Sequence, residues 1–594
     1  MRKRIGLGFL LAITAVSARA EDKPVKVELP IPANALAAVQ LKGVASVRER
    51  LEKFLAAAAP EQSKIALESL VSFLDEGLAG RDAKLLPRDA RTYLIVHDVD
   101  WAAKTGTWSL ALPMADYKLF RTKFLTADER KSIHSLGDNI DEIEFRGQPT
   151  YLIDLTKRGY VAVTFDKPTA EALAEKPKLL TTADVGPQGT DVFLECDLGA
   201  FVNLREVNER YGKSLASFRS LAIGLLQQGG FGFLPKLDRR QLAVARLVVD
   251  GLFQTGQDGH GFALGISFAE SGLILRTDLR FKTESESASV LAKEKPSKLA
   301  SMEELNSGQI VYKVGSWSPP VAAIVQGLAP DYAAAADDDR TADAVKKFAN
   351  LSAKATWSSA SSGVGSGILV ATIEDPAALA AAHVKVLKNL SAGGAYRNVP
   401  LKEAPTIKVD EQMYGGFTLS RALLNVDFKV ATATIADETL REATIESMKR
   451  FVQEKTAIWF GHDGERYVEI TSANWDDARG FLDTYRSKLI PLSADVRFQE
   501  LRKLLPAEAS QLVVVDLRKG LVGFAAYAQA VLGALPAFPG VEIPEFKPAP
   551  AGPPEYAGAA LVLRPAGIGA VVVVPIDSAK LIAGVLAPPV VKAP

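Results

Sequence analysis

Three sequence patterns each occur more than once at wide spacing, and this recurrence constrains the fold more than any single motif does. The first pattern is an apolar strand followed at once by a helical stretch. It is read in ALAAVQLKGVASVRERLEKFL (35–55), DVFLECDLGAFVNLREVNERY (191–211), QIVYKVGSWSPPVAAIVQGL (309–328) and QLVVVDLRKGLVGFAAYAQAVL (511–532). Val44, Val47, Leu51 and Phe54 recur at three and four residues, which gives the first helix one apolar face. In the second copy Leu204, Val207, Tyr211, Phe218, Leu221 and Leu225 continue that spacing. The stripe ends at the GGFGF run (229–233), so the helix is expected to pack on the protein's own sheet rather than on a second copy.

The second pattern is a hairpin whose last strand runs into a helix. GAALVLRPAGIGAVVVVPIDSAKLIAGVL (558–586) has its turn at Pro565 to Gly569 and helix-start chemistry at Pro575, Asp577 and Ser578. LALPMADYKLFRTKFL (110–125), GFALGISFAESGLILRTDLRF (261–281) and GILVATIEDPAALAAAHVKVL (367–387) follow the same plan. A third pattern occurs at 150–173 and 457–481, where Tyr160-Val161-Ala162-Val163-Thr164 matches Tyr467-Val468-Glu469-Ile470-Thr471. The order is strand–helix, hairpin, third pattern, strand–helix, hairpin, and then the same five again. The expectation is an α+β fold of two homologous lobes, 21–300 and 301–594, arising from an internal duplication. Short-turn hairpins favour antiparallel sheets, and the helices that follow them can cover a sheet face. Seven prolines between Pro536 and Pro554 predict an extended loop inside the second lobe. SSASSGVGSG (358–367) reads as a small-residue hairpin or loop.

Residues 1–20, MRKRIGLGFLLAITAVSARA, have the layout of an export signal: a basic start, an uncharged run from Ile5 to Val16, and Ala18-Arg19-Ala20 as a cleavage site. The run spans roughly 18 Å as helix, too short for a bilayer core of about 30 Å. Cleavage after Ala20 is expected, with a secreted or periplasmic destination. It would leave 66 basic against 70 acidic side chains, so the mature chain has no positive field to gather nucleic acid or an anionic membrane. The uncharged stretch Gly520–Leu535 reads as a buried helix rather than a second span.

LPIPANALAAVQLKGVASVRERLEKFL and GYVAVTFDKPTAEALAEK resemble segments of large secreted proteins of planctomycete-type bacteria. The likeness runs through most of the mature chain. It implies export and carries no reaction, cofactor or catalytic residue with it.

Candidate chemistry is sparse. The single cysteine, Cys196, forbids an internal disulfide and any multi-cysteine metal site. Asp191 to Asp197 reads as a strand with Val192, Leu194 and Cys196 turned to the core, so the thiol is expected to be inert. Glu195 and Asp197 flank it. No two of His97, His134, His260, His383 and His462 stand at zinc-ligand spacing, and His260 and His462 read as turn residues. In His97-Asp98-Val99-Asp100, at the end of the strand TYLIV, the carboxylates of Asp98 and Asp100 would project from one face, close enough to share a proton. They are the weak candidates for a catalytic pair. Gly265-Ile266-Ser267-Phe268-Ala269 lies within a strand and not at a nucleophile elbow. The glycines of 363–367 open a strand rather than a helix, against a phosphate loop. Asp337-Asp338-Asp339 suits the acidic first turn of a helix.

These features lead to an exported, non-catalytic binding or scaffolding protein of the bacterial envelope, without metal or cofactor, whose partner is a protein or an apolar ligand. Two alternatives stand beside it. One is a carrier of a lipid or other apolar ligand; the other is a hydrolase using a carboxylate pair. An apolar cavity would favour the carrier and a cleft with shifted ionisable groups the enzyme.

Overall fold

The computed structural model describes residues 27–60, 81, 85–100, 103–137, 139–227, 239–318, 320–321, 339–363, 365–391, 394–396, 399–433, 438–451, 453–521 and 550–586. The export signal, the GGFGF run, the pair Asp337-Asp338 and most of the apolar 520–535 and Pro-rich 536–554 segments lie outside them.

The strands of the amino-terminal half are β1 (Glu28–Pro32), β2 (Ala37–Lys42), β3 (Arg91–Asp100), β4 (Thr105–Pro113), β5 (His134–Gly137), β6 (Ile140–Phe145), β7 (Gln148–Leu155), β8 (Tyr160–Thr164), β9 (Leu179–Thr181), β10 (Leu198–Val202), β11 (Gly259–Ala269) and β12 (Gly272–Phe281). Those of the second half are β13 (Val311–Gly315), β14 (Thr356–Gly363), β15 (Ser366–Thr372), β16 (Ala395–Tyr396), β17 (Val399–Pro400), β18 (Thr406–Tyr414), β19 (Phe417–Asn425), β20 (Lys455–His462), β21 (Arg466–Ser472), β22 (Gln511–Asp516), β23 (Tyr556–Arg564) and β24 (Gly567–Pro575). Apart from the small pairs β1–β9 and β16–β17, they form one sheet of twenty strands, antiparallel throughout. The class is α+β.

Hydrogen bonding runs β5-β6-β7-β8-β4-β3-β2-β10-β11-β12 and continues without a break into β24-β23-β22-β13-β14-β15-β21-β20-β19-β18. Read outward from β12 and from β24, the two sequences of strands follow one plan. Both halves place the second strand of a terminal hairpin at the seam, where Gly272 to Arg280 pair with Pro575 to Gly567. The sheets expected for two lobes are therefore joined edge to edge. Gly272 has a φ of +139°, and a side chain there would run into the carbonyl of Val574 and the backbone of Pro575, so the close approach at the seam requires glycine. The main core crosses this line, with Phe193, Ile274 and Phe281 clustering with Tyr556, Val571 and Val573.

Helices cover both faces in each half. Helix Pro376–Lys388 packs Leu379, His383 and Val386 on one face of β20 and β21, while helix Trp475–Ser487 packs Ala478, Leu482 and Tyr485 on the other. In the first half, Phe120 and Phe124 cover one face and helix Lys167–Ala174 the other. The starts are set locally: Asp166, Asp375 and Asn474 each accept a hydrogen bond from a backbone N–H of the first turn.

Strand β8 lies between β4 and β7, and β21 between β15 and β20, so 160–164 and 467–471 hold the same place. Their residue-by-residue match does not hold. The buried row Gln40–Tyr93–Ala111–Ala162–Ile153 corresponds to Tyr312–Ala360–Ile368–Ile470–Trp459, with Ala162 and Ile470 each four residues before the helix cap. Tyr160 thus corresponds to Val468, and Tyr467 is one residue out. A shift of one residue reverses the face. Tyr160 packs edge-on to Tyr93, whereas Tyr467 lies across the sheet in the cluster beneath helix 376–388.

Three further expectations are corrected. Residues 187–195 are a helix, started by Pro187 at its first position, and the sheet position falls to β10 just after it. Val192, Phe193 and Leu194 are consecutive and all buried, which a strand with one covered face does not allow. His260 and His462 belong to β11 and β20, because each strand extends into the glycine-flanked segment that resembles a turn. Helix Leu204–Gln227 leans on the sheet over its first turns, with Leu204 against Gly259 of β11 and the Tyr211 hydroxyl bonded to β3. Further along it packs on helix Arg239–Asp258 through Phe218 and Phe253, leaving Phe218 and Leu221 exposed at 60% and 57%.

Candidate functional site

The most developed site lies in the second half, where the tips of β14 and β15 meet helix 475–487 and the loop 305–309. A cavity of about 510 Å³ opens there, within the range of small-molecule pockets. Ala360, Ser362, Ser366 and Ile368 form its floor; Asp476, Asp477, Gly480, Phe481, Thr484 and Tyr485 form the helical wall. Asn306, Gln309 and Gln453 contribute amides.

One exchange along the buried row coincides with the cavity. In the first half Tyr93 is buried against Tyr160 and Phe193, and Ile95, two residues on, is buried beside it. The second half has Ala360 for Tyr93, so a ring gives way to a methyl; beyond it a bulge between Ser361 and Gly363 breaks the register, and the exposed Ser362 follows. The polar groups then exposed are only partly engaged. Ser362 Oγ and Ser366 Oγ lie 2.6 Å apart, and Tyr485 accepts a hydrogen bond from Arg466 at 3.2 Å. Asp476 pairs with Arg479 at 3.6 Å, and Asp477 Oδ2 accepts from Asn474 at 2.9 Å. Asn306 Oδ1 and Gln309 Oε1 are buried and meet no donor within the protein. Among the described residues no lysine or arginine lines the cavity.

A second cavity, about 320 Å³, sits at the seam beside Ser271 and Pro575. Leu501, Leu504, Tyr556 and Ile576 give it an apolar lining, and Arg497 binds Asp577 at 2.7 Å on its rim. Burial raises the Glu555 carboxyl, while hydrogen bonds from Lys580 and Arg497 lower that of Asp577. Arg497, 3.8 Å from Glu555, faces both carboxylates, and Arg518 lies 3.6 Å from Glu555.

The residues singled out from sequence fall elsewhere. β3 runs through Asp98 and Asp100 instead of ending before them, with a bulge between Val96 and Asp98. The two carboxylates do lie two residues apart on one strand, but neither lines either cavity. Asp98 accepts from Tyr211 and the backbone of Val99, and Asp100 from the N–H of Ala103. His97 Nε2 lies 2.7 Å from Ser109 Oγ, and burial, aided by the Arg210 cation, lowers the imidazole to about 4. Glu195 pairs with Lys42 and Arg91, and Asp197 with Arg50. Cys196 is fully buried and its thiol is pushed up by that burial. Gly363 and Ser366 close the β14–β15 hairpin, as the small-residue run suggests.

One buried polar cluster escapes the sequence reading. His383 Nδ1 lies 2.7 Å from the Tyr467 hydroxyl and 4.0 Å from Glu469, and His383 Nε2 lies 3.1 Å from Tyr396. Phe348 and Phe460 enclose the imidazole. Its trace in the sequence is Glu469, an acid within the apolar strand Val468–Ile470. Among the described residues no three His, Cys, Asp or Glu side chains are placed to hold a metal ion, and no helix is long and apolar enough to cross a membrane.

The fold and site define an α+β protein with one continuous antiparallel sheet and, in its second half, a cavity of mixed polar and apolar lining. No family model matches the chain, and neither a curated protein nor a solved structure is similar to it.

Proposed function

We propose that this chain is an exported, non-catalytic binding protein of the bacterial envelope, with the cavity between the β14–β15 tip and helix 475–487 as its ligand site. The observation that carries the reading is the exchange of Tyr93 for Ala360 at corresponding places, beside a cavity that Ala360 lines. A core that loses a buried ring forfeits several kcal/mol, about 3–5 for a large aromatic. Here the space stays open, lined by apolar Leu305, Ile368 and Phe481 together with amides, hydroxyls and two carboxylates, a mixture that a ligand site can use. The leader at 1–20 and the resemblance to secreted planctomycete-type proteins support export. The continuous sheet supplies a rigid frame, in keeping with a scaffolding role.

The test is a thermal-shift and calorimetric screen of the full chain against small polar molecules, run beside Ala360→Phe, which refills the cavity. Ligand-induced stabilisation that disappears in Ala360→Phe supports the site. Stabilisation that persists in that variant removes it. Export is checked separately, by N-terminal sequencing of material recovered outside the cytoplasm, where Glu21 is the expected first residue.

A second reading, a carrier of a small apolar ligand, draws on the seam cavity and its apolar lining. Uptake of an apolar fluorescent probe by the native chain, lost in Leu504→Glu, would favour it. The hydrolase reading would need Asp98 and Asp100 over a cavity, and neither lines either of the two cavities described above.

A further inference from the structure

We infer that the seam cavity takes a small molecule with an apolar body and one hydrogen-bond-donating head, an amine or an alcohol, held on the carboxylate of Glu555. The inference rests on the carrier reading of that cavity and names its ligand class. Glu555 immediately precedes β23 and lines the cavity. Its main chain is fixed there, with its N–H donating to Asp516 at 3.4 Å and its carbonyl accepting from Leu517 at 2.7 Å. Only 8% of the side chain remains accessible. A carboxylate withdrawn from water to that extent is ordinarily met by several donors. This one is not. The nearest cationic nitrogens, on Arg518 and Arg497, stand at 3.6 and 3.8 Å, beyond hydrogen-bond distance, and among the described residues no other group donates to it. Both guanidiniums are turned to other acceptors, Arg497 to Asp577 at 2.7 Å and Arg518 to the carbonyl of Pro553 at 2.6 Å. The Glu555 oxygens also keep contact with open space, unlike the enclosed and unpaired amide oxygens of Asn306 and Gln309. The space they reach is the cavity that Glu555 lines.

The rest of the lining sets the body of the ligand. Leu501, Leu504, Tyr556, Pro575 and Ile576 present apolar surface, so a hydrocarbon portion leaves water favourably there. The Tyr556 hydroxyl is spent on Asp495 at 3.1 Å, while Glu500 and Lys503 stand exposed at the rim, so Glu555 is the inner group left to orient a ligand. A carboxylate accepts and does not donate, so the head must bring N–H or O–H. A ketone would leave the oxygens unmatched, and a carboxylic acid would set a like charge against Glu555. Burial raises the Glu555 carboxyl, and a donor at its oxygens opposes that shift by favouring the charged form.

The experiment is displacement of an apolar fluorescent probe from the full chain at neutral pH by octylamine, octanol, methyl hexyl ketone and octanoate. The expected result is that octylamine or octanol binds about tenfold or more tightly than the ketone, as a hydrogen bond to a charged acceptor gives, and that octanoate binds more weakly than either donor. Preference for octylamine assigns an ammonium head and preference for octanol a hydroxyl; either supports the class. Glu555→Leu should remove the margin over the ketone and leave ketone binding in place, whereas Leu504→Glu should abolish binding of all four. Circular dichroism establishes that each variant is folded. If Glu555→Leu does not fold, Glu555→Gln carries the test: it keeps an acceptor oxygen without the charge, and should weaken octylamine more than octanol. Ketone or octanoate binding as tight as that of the donors overturns the ligand class, as does donor binding indifferent to both Glu555 variants. Uptake of the probe, lost in Leu504→Glu but displaced by neither donor, overturns the class and leaves the carrier reading standing. No uptake of the probe or of any of the four compounds overturns both.

Discussion

Tyr93 and Ala360 occupy corresponding positions in the two halves of the sheet, each paired across the strands with a buried partner, Ala111 and Ile368. One position is filled and the other hollow. Tyr93→Ala should therefore create in the first half a void like the one the second half already contains, at a cost of about 3–5 kcal/mol as for other large aromatics. Denaturant or thermal unfolding checks the loss. Ligand binding at the second-half cavity should be unaffected, since Tyr93 does not line it.

The seam offers a second test. Arg564 of β23 binds Asp278 of β12; the carboxylate is buried and the guanidinium partly so. Burial raises the Asp278 carboxyl, with the Arg564 cation opposing that shift. Removing one partner leaves an uncompensated buried charge, so Arg564→Met alone should cost about 3–5 kcal/mol. Adding Asp278→Leu should recover much of the loss, because an apolar pair of similar volume is often neutral or better. A double mutant no more stable than Arg564→Met would show that the ion pair is not what matters at this junction.

Much of the architecture is legible in local signals, and the failures have physical causes. The hairpin around Pro565–Gly569, the hairpin of 261–281 and the helix start at Pro575 to Ser578 depend on near neighbours, so sequence reveals them. The joining of the halves into one sheet depends on two strands nearly 300 residues apart and leaves no local mark beyond Gly272. The Tyr160–Tyr467 match misleads because similar apolar strings fit a strand in either register, and only the buried rows decide which face is which. Cys196 is buried as expected, although the segment before it is helix and not strand. The cavity is the least legible element. Its key residue is Ala360, and an alanine announces nothing until the tyrosine at the matching position is known.

His97 sets a pH dependence. Its folded imidazole is lowered to about 4 by burial and by Arg210, against about 6.5 in an unfolded chain. Between those values the unfolded state binds the extra proton, so stability rises with pH across this window and falls as pH drops from 6.5 towards 4. The ceiling for one such group is about 3 kcal/mol. His97→Gln keeps a polar partner for Ser109 and has no proton to gain. The variant should melt progressively higher relative to the native chain as pH falls from 7 to 4; a constant difference would mean that His97 titrates normally.

Cys196 should behave as packing rather than chemistry. It ends helix 187–195 in extended backbone, fully buried, with Gly265 of β11 so close that a side chain there would meet the sulfur. Burial is the largest influence on the thiol and raises it, which disfavours the thiolate that alkylating and disulfide reagents require. Labelling at neutral pH should be slow and should accelerate only with denaturant, following opening of the core rather than titration of the thiol. Cys196→Ala should cost on the order of 1 kcal/mol through lost contacts, and should leave ligand binding intact. Rapid labelling of the folded chain, with a pH midpoint below that of free cysteine, would instead mark an accessible and activated nucleophile. The two outcomes are separated by measuring the labelling rate against pH in native buffer and again near the unfolding midpoint.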